Sequence, residues 1–281
     1  MAAEPSENIH GHAPGFCLPQ PLPTQFADRD ALVAHVRALA PWAEGASSSI
    51  QGGHAMAERH LCAIAPIAYA RTRNHGDGKI TRLSPYLQHG MLSLNTVRNH
   101  ALGLCSAPAQ ATKFIQELAW RDFWQRVLAA HPEWAWNDAE PYKTGFSPAD
   151  YADTLPEDIA TGNTGVACLD AFIHALLHTG YIHNHARMYL ASYVVHFRRV
   201  KWQAGARWFL QHLLDGNTAS NNLSWQWVAS TFSNKPYIFN LENVQRYFGE
   251  LIDTSPEHNR PLDYSYAALN ASLFANLGPR P

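Results

Sequence analysis

The sequence predicts an almost all-α fold, and three observations carry that expectation. Strand-like alternation is weak throughout the 281 residues. Apolar residues recur instead at helical spacing, in segments bounded by Pro and Gly. No G-x-G-x-x-G follows a strand, so a Rossmann half is not expected. Hydrophobic residues make up 46% and charged residues 16%, a globular composition and not a disordered one.

Residues 1–25 hold five Pro without periodicity and read as a flexible arm. Asp28 to Leu39 has helical spacing at Leu32, Val36 and Leu39, and Pro41 stops it. EGASSSIQGG reads as a linker, and Gly53 to Ala63 as a helix ending near Pro66. HGDG is a turn. Thr81 to Ser84 precede Pro85, which suits a helix's first turn. Such a Thr/Ser pair is a cap, or an anion site where several backbone N–H groups converge, and both readings stay open. KFIQELAWRDFWQRVLAAHPEW is helical up to Pro132. Its Phe114, Glu117, Arg121 and Trp124 share a stripe, so a Glu117–Arg121 pair is expected among aromatics. Residues 137–163 read as loop, and helices resume from Thr164 almost to Ser230. The expected division is residues 1–60, an arm with a short helix, and 61–281, a helical domain.

Composition also excludes. A formal net charge of −2 gives no global field that draws in nucleic acid, although a local basic patch is compatible with it. Cys17, Cys62, Cys105 and Cys168 form no C-x-x-C, so no zinc, iron–sulfur or other metal site is expected, and buried free thiols are the plain reading. The apolar runs fall short of a membrane span, and the first residues lack a basic and apolar signal segment. A cytoplasmic protein without membrane contact is the default.

The stretch from Thr164 to Tyr237 organises the rest. Its helices should bury apolar residues, yet His183, Asn184, His185, Arg187, Asp215, Asn217, Asn221, Asn222 and Gln226 stand among them. Buried polar groups are costly unless something satisfies them. Together with several Trp, they suggest a large polar and aromatic ligand held in a helical pocket.

Four blocks then carry a resemblance: ITRLSPYLQHGMLS, QELAWRDFW, TGYIHNHARM with its following AS, and DGNTASNNLSWQWVAST. In this order and at this spacing they resemble the FAD-binding helical domain of the photolyase and cryptochrome family. The resemblance spans roughly residues 69–240. It implies an all-α, photolyase/cryptochrome-like FAD-binding fold with FAD as cofactor. The family's α/β antenna domain precedes this helical domain, and too few residues precede Tyr69 to form it. Neither that domain nor an antenna chromophore is therefore expected.

Residue by residue, the resemblance implies that Tyr69, Thr81, Arg82, Leu83 and Ser84 hold the FAD ribityl and pyrophosphate portion, with Glu117 and Arg121 also among the cofactor-binding residues. Asn184 and Arg187 would face the isoalloxazine ring, Arg187 paired to Asp215, with Asn217 in contact and Asn221 beside N5. Family photolyases have Asn at that last position, where plant cryptochromes have Asp. Glu117, Trp120, Met188 and Trp227 match positions that contact a flipped cyclobutane pyrimidine dimer. The (6-4) photolyases place His at the positions of Asn184 and Met188, so that branch is not expected. Trp225 and Trp202 match two members of an inward electron relay. The third falls near Phe146 or Ser147, and Tyr142, Tyr151, Trp134 and Trp208 are the substitutes considered.

Three departures stand out: Asn217 for a common Asp, Tyr181 for a common Trp, and His185 for a frequent Arg. Arg198, Arg199, Lys201 and Lys113 are candidate phosphate contacts. The implied function is light-driven splitting of cyclobutane pyrimidine dimers by electron transfer from excited reduced FAD. The partner is UV-damaged DNA bound modestly, with single strands favoured because flipping costs less there. The alternatives are a cryptochrome-like blue-light photoreceptor, and a flavoprotein that binds nucleic acid without repairing it.

Overall fold

The computed structural model describes residues 21–42 and 46–277. Residues 1–20 of the expected arm, Cys17 among them, lie outside it. Two compact units divide between Ser47 and Ser48. In the first, α1 (Arg29–Leu39) starts where the Asp28 carboxylate accepts from the Ala31 N–H at 2.8 Å, the N-cap bond expected of Asp. The Phe26 ring lies on His35, 5.3 Å between centroids.

The second unit is helical, and an isolated bridge between Ala152 and Val200 is the β-pairing among the described residues. Its first layer comprises α2 (His54–Cys62), α3 (Pro66–Thr72), α4 (Ser84–Gln88) and α5 (Leu94–Gly103). These bury Ala57, Leu61, Tyr86, Val97 and Ala101 around Phe114 of α6 (Thr112–Ala130). Pro66 and Pro85 open α3 and α4, where the missing proline N–H would have had no helical partner. α2 spans residue 60, so the division set by composition falls inside a helix of this layer.

The larger core takes Tyr142, Tyr151 and, from the short α7 (Glu157–Thr161), Ile159, and most of it follows that helix. α8 (Ala167–Thr179) buries Cys168, Leu169, Phe172, Ile173 and Leu176, two adjacent stripes at helical spacing. α9 (Asn184–Ser192) runs into a π-helical turn, Tyr193–Phe197, which is nearly all buried. α10 (Trp202–His212) and α11 (Thr218–Ala229) follow, then α12 (Leu241–Phe248) and α13 (Tyr266–Leu273). Trp124 of α6 packs on Ala219 and Leu223 of α11. The thiols differ from the expectation that all are buried: Cys168 is buried, Cys105 is half-exposed and Cys62 is exposed. Burial pushes the Cys168 thiol up to about 12. Among the described residues no helix is long and apolar enough to cross a membrane, and no His/Cys/Asp/Glu group could hold a metal ion.

Candidate functional site

α3, α4, α6, α9 and α11 leave between them a cavity of about 740 Å³, within the usual size range for small-molecule sites. Its wall takes Tyr69, Thr81, Arg82, Leu83, Ser84, Glu117, Trp120, Arg121, Asn184, Arg187, Met188, Asp215, Asn221, Trp225 and Trp227, residues from all four sequence blocks. Arg73, Arg82, Lys113, Arg121 and Arg187 line it against the carboxylates of Glu117 and Asp215. The wall is therefore locally cationic on a chain of formal net charge −2.

At its inner wall Arg187 Nη2 donates to Asp215 Oδ2 at 2.8 Å, and Arg187 Nε donates to the Ile182 carbonyl at 3.1 Å. Burial pushes the Asp215 carboxyl up, but the charge and hydrogen bond of Arg187 outweigh it, so the group sits below its usual range. Tyr181 lies between two cations: the guanidinium carbons of Arg82 and Arg187 are 5.8 and 5.6 Å from its ring centroid. Arg82 has a φ of 52°, a left-handed conformation that costs a non-glycine residue free energy. Asn221 spends its amide N–H groups on the Ala206 carbonyl (3.0 Å) and Asn222 Oδ1 (2.9 Å), which leaves its carbonyl oxygen to the cavity.

His183 caps α9, its Nδ1 accepting from the His185 N–H at 3.0 Å. That bond assigns the ring proton to Nε2. Burial and neighbouring His185 lower its pKa to about 4, so it is neutral at pH 7. Buried and without hydrogen-bond partners are His183 Nε2, Asp215 Oδ1, Ser220 Oγ and Trp225 Nε1, all on residues that line the cavity. Native interiors seldom leave four such groups unmet.

The mouth has a different character. Trp120 and Trp227 are 48% and 39% exposed, and Trp120 stacks on Trp124 at 5.4 Å. Glu117 lies between Lys113 Nζ at 2.6 Å and Arg73 Nε at 3.5 Å. The expected Glu117–Arg121 pair does not form, because Arg121 turns inward and its Nη2 donates to Gln88 Oε1.

Other expected residues are drawn elsewhere. Asn217 is not in the wall: it caps α11, its Oδ1 accepting from the Ser220 N–H at 3.1 Å and from Gln125 Nε2 at 2.6 Å. Trp202 is fully buried and donates Nε1–H to Asp138 Oδ1 at 2.6 Å. Three phosphate candidates are spent internally: Arg198 on Asp158 (2.6 Å), Lys201 on Asp153 (2.6 Å), and Arg199 on the Leu273 carbonyl and the Phe146 face. Asn222 and Gln226, which suggested a ligand, hold a loop: they donate to the Ala135 carbonyl (2.6 Å) and the Trp134 carbonyl (2.7 Å). Sequence reasoning missed Trp136 in that loop, which stacks on Trp202 with centroids 6.5 Å apart. Its one signal was a second Trp two residues after Trp134.

Residues 114–255 match the family model described as the FAD binding domain of DNA photolyase. A deoxyribodipyrimidine photo-lyase of Streptomyces griseus is 40% identical over 152 residues, 54% of this chain and 32% of that enzyme. A class III photolyase structure from Agrobacterium tumefaciens superposes with a TM-score of 0.59 and 26% identity, over 75% of this chain and 44% of that one. An archaeal photolyase from Sulfolobus tokodaii, solved with two FAD molecules, gives a TM-score of 0.67 at 22% identity, over 86% of this chain and 59% of its own. The chain thus spans about a third of the curated relative's length.

Proposed function

The chain belongs to the FAD-binding domain family of DNA photolyase, with FAD as its cofactor, and on that premise we propose that it is a light-driven repair flavoprotein that splits cyclobutane pyrimidine dimers in UV-damaged DNA. One observation supports this above the rest: a single cavity joins a polar inner wall at Arg187, Asp215 and Asn221 to a mouth of two half-exposed indoles and a carboxylate.

The cavity suits the cofactor on its own chemistry. Five cationic side chains match an anionic pyrophosphate, and the four unmet polar groups await partners. Bound FAD would supply light-driven one-electron chemistry at this site. Tyr69, Thr81, Arg82, Leu83 and Ser84 hold the ribityl and pyrophosphate portion. Arg187 places positive charge beside the ring system, and Asp215 keeps that cation oriented and balanced. The Asn221 oxygen would offer an acceptor to the bound ring system.

On the substrate side, Trp120 and Trp227 stack on the two flipped pyrimidines, and Met188 fills the apolar gap beside them. Glu117, set by Lys113 and Arg73, accepts hydrogen bonds from the pyrimidine N–H edges. Flipping costs least in a single strand. Arg198, Arg199 and Lys201 are already engaged by internal partners, which leaves these three less free to hold a duplex backbone.

The test is to reduce the flavin, illuminate the protein with dimer-containing single- and double-stranded oligonucleotides, and follow the return of pyrimidine absorbance. Recovery in light and not in darkness supports the proposal. No recovery from a protein with FAD bound and photoreducible would overturn it in favour of a blue-light receptor.

A further inference from the structure

A second cavity, of about 670 Å³ and largely apolar, opens beside the first. Trp227 lines both, so the two cavities meet at this half-exposed residue. The loop after α11 gives the second one Asn234, Lys235 and Tyr237, and α13 gives it Tyr266 and Asn270. Those two stand one helical turn apart on one face, and the small Ala267 beside them leaves the groove open. The Tyr237 ring lies 5.8 Å from that of Trp227, and Tyr266 is 44% exposed.

Both walls are held in place. Lys143 Nζ donates to the Ser233 carbonyl at 2.6 Å and the Ser230 carbonyl at 3.2 Å. The Tyr237 N–H donates to the Val228 carbonyl at 3.1 Å, and Ser192 Oγ donates to the Tyr237 carbonyl at 2.8 Å. α13 is set by its Ser265 cap, which accepts from the Ala268 N–H at 3.2 Å, and by buried Leu269. A pre-formed groove loses little freedom on binding. Its chemistry combines aromatic faces, two amides that donate and accept, and the Lys235 ammonium. Lys235 is exposed and enters no ion pair among the described residues. Aromatic faces stack any base, amides meet base edges, and a free ammonium suits a phosphate. A purely apolar occupant would leave the amides and the cation unanswered.

Resting on the reading of the cavity mouth as the lesion site, we propose that this groove is a subsite for the unpaired nucleobase adjoining the dimer. The base stacks on Tyr266, and Lys235 meets the phosphate that joins it to the lesion. A strand whose dimer stacks on Trp227 leaves the mouth past that residue, and its next nucleotide arrives at the groove. In a duplex that neighbouring base is paired and stacked, so taking it up costs a second unpairing. In a single strand it is already free. The groove therefore adds affinity for single strands, independently of the three cations engaged elsewhere.

The experiment is a fluorescence-anisotropy titration of the FAD-loaded protein in darkness with a single-stranded oligonucleotide carrying one dimer. In two further oligonucleotides an abasic residue replaces the base on the 5′ or the 3′ side of the dimer. Removing the base on one of these sides should weaken binding about tenfold, the scale for losing one base–aromatic stack. Tyr266→Ala, which removes the stacking face, and Ala267→Phe, which fills the groove, should each weaken the intact strand to a similar degree. Both variants should then be indifferent to the abasic residue, with flavin content and dimer splitting at saturating strand unchanged. Dimer-selective binding by the parent that is equal for the intact and both abasic strands would overturn the subsite alone, and leave the groove to a peptide. A parent that binds damaged and undamaged strands alike would sink the lesion reading and the subsite with it.

Discussion

Arg187 and Asp215 meet through a single hydrogen bond of 2.8 Å, although the Asp215 side chain is only 3% exposed and its second oxygen has no partner. A buried carboxylate with an unmet oxygen beside a cavity is arranged for a ligand as well as for its cation. Asp215→Asn removes the balancing charge and keeps the shape. Breaking a buried pair from one side costs about 3–5 kcal/mol, and the 23% exposure of Arg187 argues for the lower end. The expected variant unfolds at lower temperature and carries little FAD, read as flavin absorbance per mole of purified protein. A full flavin complement would remove this pair from the cofactor site.

Glu117 separates substrate handling from cofactor handling. It lies at the cavity mouth with Lys113 and Arg73, away from the Arg187–Asp215 contact. Glu117→Gln keeps the side chain's size and one acceptor while discarding the charge. Dimer splitting should fall by about tenfold or more, the scale for losing one positioned polar contact, with flavin content unchanged. Equal rates in single-turnover illumination would place the lesion elsewhere.

Buried histidines give the fold an acid sensitivity of definite sign. His196 is fully buried, its Nε2–H donating to the Val228 carbonyl at 2.9 Å, and burial lowers its pKa to about 4 from the ordinary 6.5. Between those values the unfolded chain binds a proton that the folded one does not. Stability therefore rises with pH across this window, and is lost as pH falls from 6.5 toward 4. A shift of that size corresponds to about 3 kcal/mol, and His183 adds to it in the same direction. His196→Gln retains a donor without the titration. Melting temperatures from pH 7 down to pH 4.5 should fall less steeply in the variant, and parallel curves would assign the acid loss to other groups.

What the sequence made legible follows from the range of its signals. Helical periodicity with Asp28, Pro66 and Pro85 located the start of α1, the end of α2 and the start of α4, because caps and prolines act within one turn; α3, opened by the same Pro66, was not expected. The four blocks located the cavity wall because each groups several wall side chains on a helix or in the turn that leads into one. Partner choice was not legible. Glu117 and Arg121 are correctly spaced for each other, yet Glu117 takes Lys113 one turn earlier on the same helix, while Arg121 reaches Gln88 of α4. Asn217, Asn222 and Gln226 were read as ligand contacts because a buried amide looks the same in sequence whether it meets a ligand, a helix end or a loop. Trp136 was invisible for a related reason, since its stacking on Trp202 spans 66 residues of chain.

That loop supplies the last prediction. Gln226 is fully buried and all its hydrogen-bonding capacity is taken up locally. Its Nε2 donates to the Trp134 and Asn137 carbonyls at 2.7 and 3.1 Å, and its Oε1 accepts from the Ala139 N–H at 2.9 Å and Thr231 Oγ1 at 3.0 Å. Gln226→Leu fills nearly the same volume and strands those partners. Each unmet buried group costs about 1–3 kcal/mol, and relaxation of the loop into water recovers part of it. A net loss of about 3 kcal/mol is therefore expected, visible as a lower urea midpoint. Because the same loop carries Trp136 onto Trp202, acrylamide should also quench the variant's tryptophan fluorescence more strongly. An unchanged midpoint together with unchanged quenching would mean that the loop holds its place without the amide.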